Sequence, residues 1–285
     1  SFVDNAFQTL IDPENDPIRL ANPISSEMGV MRTTLWPGLL KALIYNRNRQ
    51  QERVRLFEVG LRFLQPANQD GIDLATVLQE KTIAGVATGP RNAQNWADSA
   101  KLMDFFDLKG DVESLLALTG ADGFRFEAAT HPALHPGQCA SVLRGDTEVG
   151  IFGMLEPRVQ LELDVVEPVF AFEFRVEALT RRGIPTFAEL SRFPEVRRDI
   201  AVLLPVEVTA EALMKRVTDA TDDTLVNLKL FDVYQGEGID PTRKSIAVGL
   251  TFQASSRTLT DSEVSDSVER IVASLIDGLG ASLRN

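Results

Sequence analysis

The 285-residue sequence predicts an α+β fold in two domains, residues 1–186 and 187–285. Three observations lead there. From Phe193 onward the hydrophobic pattern reads strand, helix, strand, strand, helix, strand, the βαββαβ order of a split, ferredoxin-like unit. Upstream, short apolar strands are interspersed with isolated helices, which suits a mostly antiparallel sheet of about six strands with flanking helices. Between the two, Arg181-Arg182-Gly183-Ile184-Pro185 combines charge, Gly and Pro in the manner of a linker.

In the first domain, Asn22-Pro23 and Ser25-Ser26 mark a loop, and Leu35 to Gln51 follows as a helix. Pro37 suits the first helical position, where its missing N–H is not needed, and Thr33 or Thr34 can cap. Leu39, Leu40, Leu43 and Ile44 share its apolar face, and Arg47 to Gln51 end it in solvent. Val54 to Phe63 reads as a strand, Gln65 to Glu80 as a polar loop and Thr82 to Thr88 as a short buried strand. Asp107 or Asp104 caps the next helix, whose core face is Val112, Leu115, Leu116 and Leu118 and whose stop is Gly120. Phe124 to Ala128, Ala140 to Leu143 and Val149 to Leu155 follow as antiparallel strands, the last two joined at Gly145-Asp146. Pro157 opens a short helix, and Val169 to Val176 is the final strand.

The second domain begins with an apolar strand, Asp199 to Leu204, entered through two arginines and an aspartate. Thr209 caps a helix carrying Leu213, Val217 and Ala220. Leu225 to Tyr234 alternates as a strand, Gly236 to Pro241 turns, and Ser245 to Phe252 returns. Thr260 caps a helix with Val264, Val268, Ile271, Leu275 and Leu279 on one face, and Ala281 to Leu283 closes the sheet. Helices then cover one side of a four-stranded sheet and leave the other free.

Composition narrows the function classes. Hydrophobic content of 44% with 25% charged residues is that of a globular chain, and no run of 18 apolar residues suggests a membrane span. The N-terminus, SFVDNAFQTL, has no signal-peptide pattern and no initiator Met, which fits a fragment of a longer polypeptide. A single cysteine, Cys139, fits a reducing cytoplasm. The net charge of −12 argues against general nucleic-acid or DNA binding, so any RNA contact must be local. From Leu190 onward there are 11 Lys and Arg against 15 Asp and Glu, so even the second domain is acidic as a whole.

Candidate chemistry is sparse. His131-Pro-Ala-Leu-His135, with Cys139 behind, has the spacing of a zinc pair, but Pro132 and Pro136 forbid the helix that would aim both imidazoles together. We therefore expect loop histidines and no metal. Gly236-Glu237-Gly238 joins two strands, as a hairpin does, and does not enter a helix as a phosphate loop must. Ser191, Ser255 and Ser256 have no histidine in their own domain, so no nucleophilic triad and no catalytic residue is assigned. Arg197-Arg198-Asp199 supports two readings: an ion pair within the domain, with Asp199 holding one arginine, or a phosphate-binding edge on the uncovered sheet face. Phe193, Arg197, Arg198, Tyr234, Lys244 and Arg257 are the RNA-contact candidates under the second.

Several long segments resemble one family. FPEVRRDIAVLL, LFDVYQGEGIDPTRKSIAVGLTFQ and RTLTDSEV are similar to the ferredoxin-fold anticodon-binding domain of bacterial phenylalanyl-tRNA synthetase β subunits. LANPISSEMGVMRTTLWPGLL, RLFEVGLRF, DFFDLKGDVESLL and HPALHPGQCASV resemble the catalytic-like domain of that subunit, in the same order. One departure is Glu156, where the family usually has His before Pro157. The resemblance implies a class II synthetase-like antiparallel sheet for the first domain. An active site of that class needs an Arg-x-Glu strand, yet Arg55 and Glu58 are three apart and face opposite sides. It also needs a glycine-rich strand and an arginine; Glu173 and Arg175 occupy the glycine places and Ala178 the arginine place. A carboxylate beside phosphates disfavours ATP, which makes this a decayed site kept as scaffold.

The resemblance further implies a cytoplasmic subunit that docks a catalytic α subunit in an assembly of two α and two β chains and binds the tRNA anticodon region. ATP and Mg²⁺ would serve the holoenzyme, with no cofactor in this chain. Arg32, Leu35, Trp36, Leu39 and Leu43 are the expected contacts to the α subunit. The alternative, on the same βαββαβ order, is a regulatory or assembly module that senses an amino acid or docks a protein.

Overall fold

The computed structural model describes residues 1–65, 76–97, 101–120, 123–180 and 191–284. Backbone contacts divide the chain into two units, Ser1–Pro185 and Thr186–Asn285. The linker reading at Arg181 to Pro185 and most of the expected loop after Gln65 lie outside the described residues.

The first unit opens with β1 (Phe2–Val3), α1 (Asn5–Ile11) and β2 (Val30–Met31), none of which the hydrophobic pattern announced. Two-residue strands carry too little periodicity to read, but Asp4 caps α1 by accepting from Phe7 N–H at 2.9 Å. Helix α2 (Trp36–Arg47) starts later and stops earlier than expected, with Pro37 in its first turn. The main sheet comprises β3 (Val54–Leu64), β4 (Leu78–Thr88), β5 (Phe124–Ala128), β6 (Leu134–Arg144), β7 (Thr147–Leu155) and β8 (Val169–Arg175). Its order is β3-β4-β8-β7-β6-β5, and every neighbour pair is antiparallel.

Strand β4 begins at Leu78, inside the stretch read as loop, because its polar start pairs residue for residue with the far end of β3: Glu80 faces Arg62. Cross-strand charge pairing stabilises residues that apolar periodicity ignores. Strand β6 likewise starts at Leu134, so His135 lies at a strand irregularity between Leu134 and Cys139 and not in a free loop. The β6–β7 hairpin turns at Gly145, whose φ of 60° a side chain would resist.

Helix α3 (Phe105–Leu118) carries a full capping box: Asp104 accepts from Asp107 N–H while the Asp107 side chain accepts from Asp104 N–H. It covers one face of the sheet through Leu108, Val112 and Leu116 against Phe152, Phe170 and Phe174. Helices α1 and α2 cover the opposite face through Ile11, Leu39, Leu40 and Leu43 against Ala84, Val86, Val169 and Ala171. Two short helices, α4 (Pro157–Glu162) and α5 (Val176–Thr180), flank β8 in sequence.

The second unit holds β9 (Val196–Pro205), α6 (Ala210–Asp219), β10 (Leu225–Tyr234), β11 (Arg243–Phe252), α7 (Asp261–Leu279) and β12 (Ser282–Leu283). The sheet order β10-β11-β9-β12, antiparallel throughout, is the ferredoxin-like arrangement. Even-numbered residues of β9 and β11, from Val202 and Leu204 to Ile246, Val248, Leu250 and Phe252, pack on Leu213, Val217, Val264, Ile271 and Leu275. Odd-numbered residues of those strands therefore point away from the helices. The chain as a whole is α+β, as read.

Candidate functional site

The helix-free face of the second sheet carries mostly small residues at its centre, Leu203 of β9, opposite Ser245, being the exception. Ala201 of β9 and Ser245, Ala247 and Gly249 of β11 lie there, in register with one another and with β10. Larger side chains rise at the margins. Arg197 and Asp199, two apart on β9, share this face and pair at 2.8 Å across Gly249, where a Cβ would come within 3.0 Å of Asp199. The Arg197 guanidinium carbon lies 5.7 Å from the Phe231 ring centroid. Phe231 sits at a register shift in β10 between Leu230 and Asp232, and this bulge aims the ring across the sheet. Lys229, opposite Gly249, is exposed beside it.

At the other end of the face, Arg284 follows β12 and reaches back over the sheet. Its N–H donates to Ala201 O at 2.9 Å and its Nη1 to Ser245 Oγ at 3.1 Å. The guanidinium then stands 5.5 Å from the Tyr234 ring, whose hydroxyl donates to Glu237 O at 3.0 Å. The result is a shallow trough with two aromatic rings along β10, three cations and the carboxylates of Asp199 and Asp232. Flat rings stack bases and guanidinium groups take phosphates.

Of the six expected RNA contacts, only Arg197 and Tyr234 lie on this face. Arg198 is one residue on and points to the helix side, where Nη2 donates to Asp261 at the start of α7 at 3.0 Å. Lys244 also faces the helix side, donating to Val206 O at 2.8 Å. Arg257 is engaged by Glu263, which accepts at 2.8 and 2.5 Å and closes the capping box of α7 with Thr260. These bonds, with that from Thr260 N–H, hold the Glu263 carboxyl down at about 2. Phe193 is half-buried, its carbonyl accepting from Gln253 Nε2 at 2.7 Å. Reading missed Phe231, Lys229 and Arg284. Extending the closing strand by one residue would have placed Arg284 on the face, whereas the bulge at Phe231 leaves no mark in the pattern.

The five residues expected to meet an α subunit require correction. Arg32, Leu35, Trp36, Leu39 and Leu43 are all buried in this chain's own first unit, at 0 to 7% exposure. Arg32 is occupied by Glu58 at 2.7 Å and Leu61 O at 2.9 Å, and Trp36 Nε1 donates to Phe172 O at 3.0 Å. The same apolar stripe that marks a helix as amphipathic marks it as bound to its own core. The outward stripe of α2 is Lys41 and Tyr45, the latter stacked under Arg49 at 3.4 Å.

A cavity of 640 Å³ lies in the first unit on the α2 side of the main sheet. Its walls carry Asp12, Glu14, Glu80, Glu148 and Glu173 against Arg62 and Arg175, with Trp36, His131 and Phe174 as the aromatic part. Glu173 is buried and fully engaged: Oε2 accepts from Thr34 Oγ1 and Leu35 N–H, both at 2.8 Å, and Oε1 from Arg62 at 3.0 Å. Burial pushes its carboxyl up from the ordinary value, and Arg62 and these donors oppose the rise. Arg62 faces the cavity paired with both Glu80, on the neighbouring strand, and Glu173; Arg55 and Glu58 do point to opposite sides, toward Asp111 and Arg32 respectively. Burial also lowers the pKa of His131, whose Nδ1 accepts from Ala133 N–H at 3.1 Å, and His135 Nδ1 takes Gly137 N–H at 3.0 Å. Among the described residues no group of three His, Cys, Asp or Glu could hold a metal ion. The acidic walls do not fit a triphosphate.

Comparison with known proteins gives this architecture its class. Residues 1–176 match the family model described as phenylalanyl tRNA synthetase beta chain CLM domain, and residues 191–284 that of the ferredoxin-fold anticodon binding domain. The class is thus a synthetase-type α+β module followed by a ferredoxin-fold domain of the anticodon-binding type. Over all of its 285 residues the chain is 48% identical to a phenylalanine–tRNA ligase beta subunit of Pseudomonas syringae pv. tomato, covering 35% of that protein. Beta subunits of Nitrosococcus oceani and Shewanella oneidensis are 46% and 43% identical, with 35% and 36% of their lengths covered. The chain belongs to the phenylalanyl-tRNA synthetase β chain family, and it spans about a third of the length of the curated relatives it matches. Among solved structures, a pyrrolysyl tRNA synthetase of Desulfitobacterium hafniense aligns at 14% identity over 62% of this chain and 56% of its own, with a TM-score of 0.45, too slight a likeness to argue from. Among the described residues no helix is long and apolar enough to cross a membrane.

Proposed function

We propose that this chain serves phenylalanine–tRNA ligase in two ways: its first unit scaffolds a catalytic α subunit, and its second binds the anticodon region of tRNA. The helix-free trough carries the RNA reading, because Phe231 and Tyr234 present rings beside Arg197 and Arg284. Stacking with charge-assisted phosphate contacts suits single-stranded loop nucleotides, and it explains local binding by an acidic chain. The scaffolding reading draws on the family and on the acidic cavity, which replaces an ATP site with a buried, fully hydrogen-bonded carboxylate. Contact with the α subunit falls to the outward stripe of α2 and to the edge strand β3, where Phe57 is 73% exposed. ATP-dependent, Mg²⁺-assisted charging then belongs to the α subunit of a cytoplasmic assembly of two α and two β chains.

The test is tRNA affinity of the assembled enzyme carrying Tyr234→Ala with Arg284→Ala. Loss of a stacked base costs about 1–3 kcal/mol, so binding should weaken from several-fold to over a hundredfold. Undiminished affinity in a variant that still folds would remove the trough from the RNA path.

A further inference from the structure

We propose that a second RNA contact exists on the first unit: a pocket lined by Arg53, Arg55 and Arg91 that receives a backbone phosphate of the RNA. That the ligand is RNA rests on the reading above; the pocket itself does not. It measures 490 Å³ and lies between the start of β3, the loop after β4 and α3, remote in sequence from the trough. Three arginines converge there in a chain of net charge −12. Arg53 and Arg55 both donate to Arg91 O, at 3.5 and 3.1 Å, which draws two guanidinium groups to one carbonyl.

Their carboxylate partners do not balance them. Asp107 takes Arg91 at 2.9 Å, while Asp111 reaches Arg55 only at 3.4 Å. Arg53 is exposed and has no ion pair among the described residues. The Nε of Arg55 is buried without an acceptor, and burial together with the charge of Arg53 lowers the Arg55 pKa. Like charges crowded against their own desolvation are what an arriving anion relieves. Guanidinium forks match phosphate oxygens in pairs. The rim favours RNA over a free anion: Phe106, which lines the pocket, is 75% exposed. Rings beside arginines bind bases beside phosphates.

The experiment measures tRNA affinity of the α–β complex, built with full-length β chain, across a salt series from about 0.05 to 0.2 M. Arg53→Glu alters an exposed side chain and should keep the parent melting temperature. It should weaken binding roughly tenfold at low salt and flatten the slope of log affinity against log salt by about one. Arg53→Ala with Arg91→Ala should flatten it by about two. Parent affinity and slope in a folded Arg53→Glu variant would overturn the proposal, as would polyglutamate competing as well as tRNA. If the pocket variants bind normally while Tyr234→Ala with Arg284→Ala does not, the pocket fails and the trough stands. The opposite pattern retains the pocket and refutes the trough.

Discussion

Replacing Glu173 tests the claim that a carboxylate in the cavity wall now serves structure. In Glu173→Ala the buried N–H of Leu35 and the Thr34 hydroxyl lose their acceptor, and Arg62 keeps only Glu80. A buried donor left unsatisfied costs about 1–3 kcal/mol, and the lost bond to a charged group adds to it; relief from burying an acid offsets part. The net expectation is a loss of about 2–4 kcal/mol. For a unit of this size that lowers the melting temperature by roughly 5–15 °C. Glu173→Gln keeps an acceptor for Leu35 and Thr34 but turns its amide NH2, a donor, toward the donors of Arg62, so it should lose only about 1–2 kcal/mol.

The assay is thermal unfolding of parent and both variants from pH 4 upward. Burial raises the Glu173 pKa, so its contribution is full below the ordinary 4.5 and falls as pH rises through the raised value. Gln does not titrate, and the gap between Glu173→Gln and the parent should therefore narrow as pH rises. An Ala variant that melts within a degree or two of the parent, or a Gln variant as unstable as Ala, would refute the reasoning.

Two further outcomes are expected. Glu263, held at about 2 chiefly by Arg257, stabilises α7 fully above 4.5 and loses this as pH falls through about 2. In Arg257→Ala, an NMR titration should find Glu263 shifted up toward 4.5 but short of it, because Thr260 still donates, and the second unit should begin to weaken at a higher pH; an unmoved titration would discard the assignment. Cys139 is buried with its thiol pushed up to about 11, so at pH 8 only about one thiol in a thousand is ionised. A thiol reagent should leave the native chain unmodified and label it on unfolding, and rapid labelling of the folded protein would contradict this burial.

Much of the fold was legible because its elements are amphipathic and punctuated. Thr209, Thr260 and Asp104 cap their helices as read, and Gly145 turns its hairpin. What escaped notice had no such mark. Strand β4 starts with charged residues that only their partners on β3 make into a strand. Helix α1 is only seven residues long and offers barely two turns of pattern.

The candidate site divides along the same line. The sequence by itself determined the family, the βαββαβ order and the presence of Arg197, Arg198 and Tyr234 near one sheet, since motif and periodicity are local properties. It could not tell which side of the sheet each residue serves. Arg197 and Arg198 are neighbours in the chain, yet the pleat sends one to the trough and the other to Asp261 on α7. Nor could it separate an interface stripe from a core stripe in α2, because both are apolar at the same spacing until the helix has a neighbour. Only the tertiary structure decided these points: it brought Arg284 over Tyr234, and Arg53 and Arg55 to the carbonyl of Arg91. Facing and proximity are set by packing between segments distant in the chain, where no local pattern reaches.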